Sequence, residues 1–334
     1  MIRFMSGGSD GPDLYGWGRR RTDDVEVRAA ERTNVNRRLV AVVSGAIGLA
    51  AAILATRLRC ARRRAANVPL SPLTAGRHVG ADWVERTGVG TDDRPVGEMD
   101  DFDALARPDF DPERVDPAVR RFYERTSEYD LQYRVRWERG FRLGAAVATR
   151  FTSRLEQLNL PAPGERGSVT GDDSTDEHGW RGLRSRFVAV DPDADARAEA
   201  RAWVRTDTDT GEGVFVAVYG AHERDDERFV NIAVPLPWTN LSTVLRVEHH
   251  DRPGSVRLAT AGDGEVGDPG LYLVTPVGAF ALPMEQRFQV WPVERETRTA
   301  RDDGPTTSLR ATHEMWVLGQ RFLVVEYRIR RREE

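Results

Sequence analysis

From about Arg184 to its end, the chain is a series of short β-forming segments separated by turn chemistry. No other feature constrains the fold as much. Ser185–Val190, Ala198–Arg205, Val214–Tyr219, Phe229–Val234, Thr243–His249, Ser255–Thr260, Leu271–Thr275, Gly278–Leu282, Arg287–Trp291, Leu309–Val317 and Arg321–Ile329 all read as strands. Asp207-Thr208-Asp209-Thr210-Gly211, Asp251-Arg252-Pro253-Gly254, Asp263-Gly264 and Leu318-Gly319-Gln320 stand between them as turns. No helix of crossover length interrupts the series, which argues against a parallel sheet. The predicted class is mainly β: an antiparallel β-barrel or sandwich, with lipocalin-like or calycin-like closure among the forms it allows. The last two segments are the clearest hairpin. Leu309, Ala311, His313, Met315 and Val317 share one face, and Leu323, Val325, Tyr327 and Ile329 share one face of the partner.

Residues 113–162 read as a helical cap with a short strand. Asp116-Pro117 is a helix start, with proline at the first helical position. Leu131, Tyr133, Val135 and Trp137 alternate with polar residues and predict a half-buried strand. Phe141, Ala145, Ala148, Phe151, Leu155 and Leu158 then step at helical spacing until Pro161. Arg142, Arg150 and Arg154 flank that stripe. A basic helix of this kind can lie on an anionic membrane; the plainer reading packs it on the following sheet. The antiparallel β domain is placed at 163–334, opening on the Gly-, Ser- and Asp-rich loop 163–179.

Upstream, Leu39–Thr56 reads LVAVVSGAIGLAAAILAT without a charge. Arg37 and Arg38 precede it, and Arg57, Arg59, Arg62, Arg63 and Arg64 follow it. Its length meets the lower limit for a transmembrane helix, which needs about 20 apolar residues. Arg37-Arg38 resembles a twin-arginine signal, but no small-x-small cleavage site follows, so an uncleaved single-pass anchor in the cell membrane is expected. The denser arginines on the C-terminal flank favour a cytoplasmic C-terminal domain. Residues 1–38 read as a disordered tail. Residues 57–112 read as a basic flank and a Pro-, Gly- and Asp-rich linker, with Gly97-Glu98-Met99-Asp100-Asp101-Phe102-Asp103 as a solvated acidic face.

Lysine is absent, so all 49 basic residues are arginine, set against 53 acidic ones for a net charge of −4. This composition suggests a high-GC, salt-adapted source. The near balance gives no argument for nucleic acid. The single Cys60 excludes an intrachain disulfide framework and a cysteine metal cluster.

The six histidines show no metal-ligand spacing, and no metal is expected. His249-His250-Asp251 reads as a solvated hairpin tip, and His222 with Glu223, Asp225 and Asp226 as a charged hairpin loop. Asp207-x-Asp209-x-Gly211 reads as a turn, because its glycine is out of place for a calcium loop. His313 lies on the apolar face of its strand, where a neutral imidazole needs a hydrogen-bond partner. His313, Met315 and Tyr327 are the candidate ligand-binding residues. No nucleophile elbow, phosphate loop or dinucleotide fingerprint sits in a strand–helix context, so no cofactor and no catalytic residue are assigned.

Phe122-Tyr123-Glu124-Arg125-Thr126, Glu156-Gln157-Leu158-Asn159-Leu160-Pro161, Asn231-Ile232-Ala233-Val234-Pro235-Leu236-Pro237 and Ala311-Thr312-His313-Glu314-Met315 carry a resemblance. Over about residues 115–330 the chain resembles an uncharacterised family: the C-terminal part of bacillus YndJ-like membrane proteins, and stand-alone actinobacterial and haloarchaeal hypothetical proteins. That resemblance implies a membrane setting and brings no assigned activity. The leading expectation is a membrane-anchored β domain that binds an apolar or amphiphilic ligand, such as a lipid, near the bilayer. The alternatives are an enzyme with an interior site around His313, and a non-catalytic scaffold.

Overall fold

A computed structural model describes residues 49–169, 179–260, 268–293 and 308–332. The predicted tail, the first ten residues of the predicted span and the Asp263-Gly264 turn lie outside the described residues. The chain divides into two units, Met1–Cys60 and Ala61–Glu334; the β domain belongs to the second. Residues 49–65 are helical (α1). Among the described residues no helix is long and apolar enough to cross a membrane.

The strands are β1 (Tyr129–Trp137), β2 (Ser168–Val169), β3 (Arg181–Ala189), β4 (Ala198–Asp207), β5 (Gly213–Arg224), β6 (Glu227–Leu236), β7 (Thr239–His249), β8 (Val256–Ala259), β9 (Gly270–Thr275), β10 (Gly278–Ala281), β11 (Met284–Pro292), β12 (Ser308–Val317) and β13 (Gln320–Arg331). Ten of them close into an antiparallel barrel. Each of β3 to β7 pairs with the next, β8 pairs with β11, and β11 to β13 continue the meander. β1 joins β13 to β3 and closes the ring. The order around the barrel thus follows the chain, as expected where short turns join antiparallel neighbours. β7 forks: Asn240–Val244 pair with β9, and Arg246–His249 pair with β8. The β9–β10 hairpin therefore hangs on the wall outside the ring.

Alternation sends one residue in two inward. Leu131, Tyr133, Leu183, Phe187, Trp203, Ile232, Val325 and Ile329 belong to a core that fills much of the barrel. Helix α3 (Pro117–Glu124) contributes Val119, Phe122 and Tyr123 to the same core, joined by Phe102, Leu105 and Phe110. Asp116 caps α3 by accepting from the Ala118 amide at 2.8 Å.

The stretch whose composition suggested a linker is packed against the barrel. Helix α2 (Trp83–Thr87), with Ala75, Val79 and Val84, covers the outward residues Val188, Val204, Val216 and Val218. These strands are therefore buried on both faces and read as nearly continuous apolar runs. The proline and glycine content here serves a wrapping segment that follows a curved surface. The β1 segment, read within a cap, is a stave of the barrel.

Candidate functional site

The barrel interior contains two adjoining cavities of about 60 and 90 Å³, which share Arg205, Tyr219, Ile232, Phe288 and Tyr327 in their walls. Glu98 and Tyr123 border the smaller; His313, Gln286 and Met315 border the larger. The hollow thus touches His313, Met315 and Tyr327, which the alternation of the last hairpin had turned inward. A wider groove of about 640 Å³ lies elsewhere, bordered by Arg107, Arg246, Arg257, Glu227 and Glu248. Four of these charges are paired with one another, Arg246 with Glu227 at 2.6 Å and Arg257 with Glu248 at 2.6 Å.

Arg205 is the central group. It stands near the end of β4, 7% exposed. Its guanidinium carbon lies 4.0 Å from the Trp203 ring centroid and 4.1 Å from that of Phe215. Two aromatic faces thus replace part of its hydration. No carboxylate forms an ion pair with it among the described residues, and its Nε and Nη2 have no hydrogen-bond partner there. A buried guanidinium with unused donors is costly unless something else meets it.

Glu98 is held at the hollow by a close backbone crossing. A Cβ on Gly97 would lie 2.2 Å from the carbonyl carbon and oxygen of Glu124, so only glycine fits. The Glu98 amide then donates to the Tyr123 carbonyl at 2.8 Å. Burial pushes the Glu98 carboxyl up to about 8, and Arg205 only partly offsets it. This carboxyl is therefore largely neutral at pH 7.

His313 stacks on Phe288 with ring centroids 3.8 Å apart, and its Nε2 lies 3.3 Å from Gln286 Oε1. That contact makes Nε2 the protonated nitrogen of a neutral ring. Burial, reinforced by the Arg205 charge, pushes the imidazole down to about 3. Burial also raises the hydroxyls of Tyr219 and Tyr133 well above the usual phenol range. At neutral pH the described residues that line the hollow are neutral apart from one cation, Arg205.

Sequence reasoning placed His313, Met315 and Tyr327 on inward faces but missed Arg205 and Glu98. Glu98 belonged to a run read as a solvated acidic face, and it departs from that reading. Its signal was Gly97 beside it and the large apolar Phe102 just beyond. His222 also departs from expectation. β5 runs on through Arg224, so His222 is buried in a strand, with Nε2 2.9 Å from Asp268 Oδ2 and Nδ1 3.3 Å from Asn231 Nδ2. His249 packs against Phe110 in a tilted arrangement with ring centroids 4.7 Å apart and accepts from the Asp111 amide at 3.1 Å. Asp207 forms the expected turn, its Oδ1 accepting from the amides of Asp209 and Thr210.

No protein-family model matches the chain, and no solved structure matches it. The chain is 30% identical over 253 residues to the uncharacterised membrane protein YndJ of Bacillus subtilis (strain 168). The match spans 76% of this chain and 41% of that relative. The chain is thus similar to YndJ over a stretch that includes much of the barrel and spans less than half of that relative's length.

Proposed function

We propose that this YndJ-like chain is a membrane-associated protein whose barrel binds a small amphiphile with an anionic head, of the size of a short-chain carboxylate. The observation that carries this reading is Arg205, a buried cation with two donor nitrogens unpartnered among the described residues, bordering a hollow otherwise lined by neutral groups. An anion would supply the missing charge and acceptors, and Arg pairs with carboxylates through two parallel bonds. Phe288, Ile232, Met315 and Val325 would receive the apolar end. The volumes favour a small ligand: drug-sized ligands occupy about 300–1,000 Å³, whereas a cavity of about 150 Å³ takes benzene. A whole lipid is too large for either cavity.

The interior-enzyme reading has less support. A base whose proton leaves at about 3 is weak, and no Asp or Glu lines the His313 cavity among the described residues. Calorimetric titration with hexanoate, hexanol and hexylamine tests the binding reading. Hexanoate should bind one to one and most tightly, and hexylamine least. Equal affinities, or none, would overturn it.

The membrane part of this reading rests on the relative's name and on the arginine-flanked run Leu39–Thr56. In its described part, Leu49, Ile53 and Leu54 are exposed. The barrel is proposed to face the cytoplasm, following the arginines after the span. Cys60 is exposed on that flank. A membrane-impermeant maleimide should label Cys60 only after cells are lysed; labelling in intact cells would reverse the orientation.

A further inference from the structure

Helix α4 (Arg142–Leu155) has 14 residues, of which only Ala145 is buried. Of the stripe expected to pack on the sheet, Ala145 is buried, Phe141 meets Phe322 and Leu158 reaches the core, but Ala148 and Phe151 are exposed, and a further apolar row is left outside. Leu143, Val147 and Phe151, spaced by four, are 86%, 56% and 62% exposed. An isolated helix of this length is marginal in water, and helices in proteins are stabilised by burying such a face. Here the face points away from the protein's own core.

The charges around it are of one sign. Residues 139–155 contain Arg139, Arg142, Arg150 and Arg154 and no Asp or Glu. None of these four arginines forms an ion pair with a carboxylate among the described residues. Arg142 opens the helix, where the macrodipole disfavours a cation, and no side chain caps that end. The arrangement therefore does not optimise the helix for water.

The C-terminal end is firmly held. Glu156 takes a left-handed backbone at φ 47°, and the buried Gln157 locks onto the barrel. Gln157 Nε2 donates to the carbonyls of Val216 at 2.8 Å and Pro235 at 2.9 Å, and Oε1 accepts from the Val216 amide at 2.9 Å. The helix is thus tethered at a defined place with its apolar face presented outward.

We infer that α4 is a docking surface for an anionic bilayer, with Leu143, Val147 and Phe151 entering the interface and the four arginines meeting lipid phosphates. Arginine stems can lie along the acyl boundary while their heads stay at the phosphates. A second copy of the chain fits less well, because it would oppose four arginines with four more. This inference does not depend on the interior site.

The test uses the full chain with Cys60→Ser and a polarity-sensitive NBD fluorophore on Val147→Cys. The protein is placed in nanodiscs of phosphatidylcholine alone, or with about a third phosphatidylglycerol. With phosphatidylglycerol the emission should shift to the blue, be quenched by spin-labelled lipid and revert in high salt. Each cation near an anionic surface contributes about 1 kcal/mol, or roughly fivefold. Arg150→Ala with Arg154→Ala should therefore lower the docked-to-free ratio roughly 25-fold. Both positions are exposed, so circular dichroism should be unchanged. Emission that is the same in both lipids and in detergent would overturn the inference. So would a blue shift that follows protein concentration rather than lipid, which would mark self-association.

Discussion

Two arginines eight positions apart, Arg197 and Arg205, are equally hidden from solvent, at 8% and 7% exposure, and are treated in opposite ways. Arg197 is stitched down. Its Nε and Nη2 donate to Asp195 at 3.0 and 2.7 Å, its Nη1 to Asn231 Oδ1 at 2.9 Å, and its Nη2 also to the Val218 carbonyl at 3.2 Å. Asp195 in turn accepts from Ser71 Oγ at 2.7 Å, which pins the wrapping segment to the barrel. Burial, the largest influence on Asp195, pushes its carboxyl up, yet Arg197 and Ser71 bring it below its ordinary value. Arg205 has two aromatic faces, a nearby tyrosine hydroxyl and a neutral carboxyl for company. Arg197, held for structure, donates from each of its three nitrogens. A buried cation left incomplete beside a hollow points to a ligand.

The comparison breaks most sharply on stability. Arg197→Met leaves Asp195 buried without its partner, and should cost about 3–5 kcal/mol in chemical denaturation. A cost under about 1 kcal/mol would mean that Arg197 is not the staple its bonds suggest.

The next effect is on pH dependence. Glu98 has a folded value of about 8, above its ordinary 4.5. The stability it contributes is complete below 4.5 and is lost as pH rises through about 8. His313 has a folded value of about 3, below its ordinary 6.5. Its contribution is present above 6.5 and is lost as pH falls towards 3. Thermal unfolding should therefore weaken on both sides of a maximum. Glu98→Gln should flatten the alkaline limb and His313→Gln the acid limb, by up to a few kcal/mol each. Unchanged limbs would show that neither group is desolvated.

A smaller effect is expected at Arg205 itself. Arg205→Met loses contact with the Trp203 and Phe215 rings but also removes an uncompensated charge. Unfolding free energy should change by no more than about 1 kcal/mol, in contrast to Arg197→Met. A loss of 3 kcal/mol or more would make Arg205 structural. Smallest of all, Leu143→Ser on the exposed face of α4 should change stability by less than about 0.5 kcal/mol in the absence of lipid.

The strands were legible because alternation with turn residues is a strong local signal. Each of the segments from Ser185–Val190 to Arg321–Ile329 lies on a strand of the structure, although β3 and β7 begin four residues earlier than expected, β11 three residues earlier, and β5 runs five residues further. Closure into a barrel follows from the same pattern, since a one-sided sheet must cover its apolar face. His313 was legible through its place in the last hairpin. Arg205 was not, because one arginine among 49 carries no local mark, and at a strand end it reads as solvated. Glu98 was hidden by its acidic neighbours. Its burial depends on a backbone crossing at Gly97 that is set by tertiary structure. The wrapping segment misled for a related reason: proline and glycine mark irregular chain, whether it floats free or lies on a barrel.

The central claim is that Arg205 is incomplete without a ligand. Its most direct test is the affinity of wild type and Arg205→Met for hexanoate, measured by calorimetry at neutral pH with the variant's fold confirmed by circular dichroism. One-to-one binding by the wild type, weakened at least tenfold in the variant, is the expected result. Equal affinity in the two proteins, or no binding by either, would contradict it.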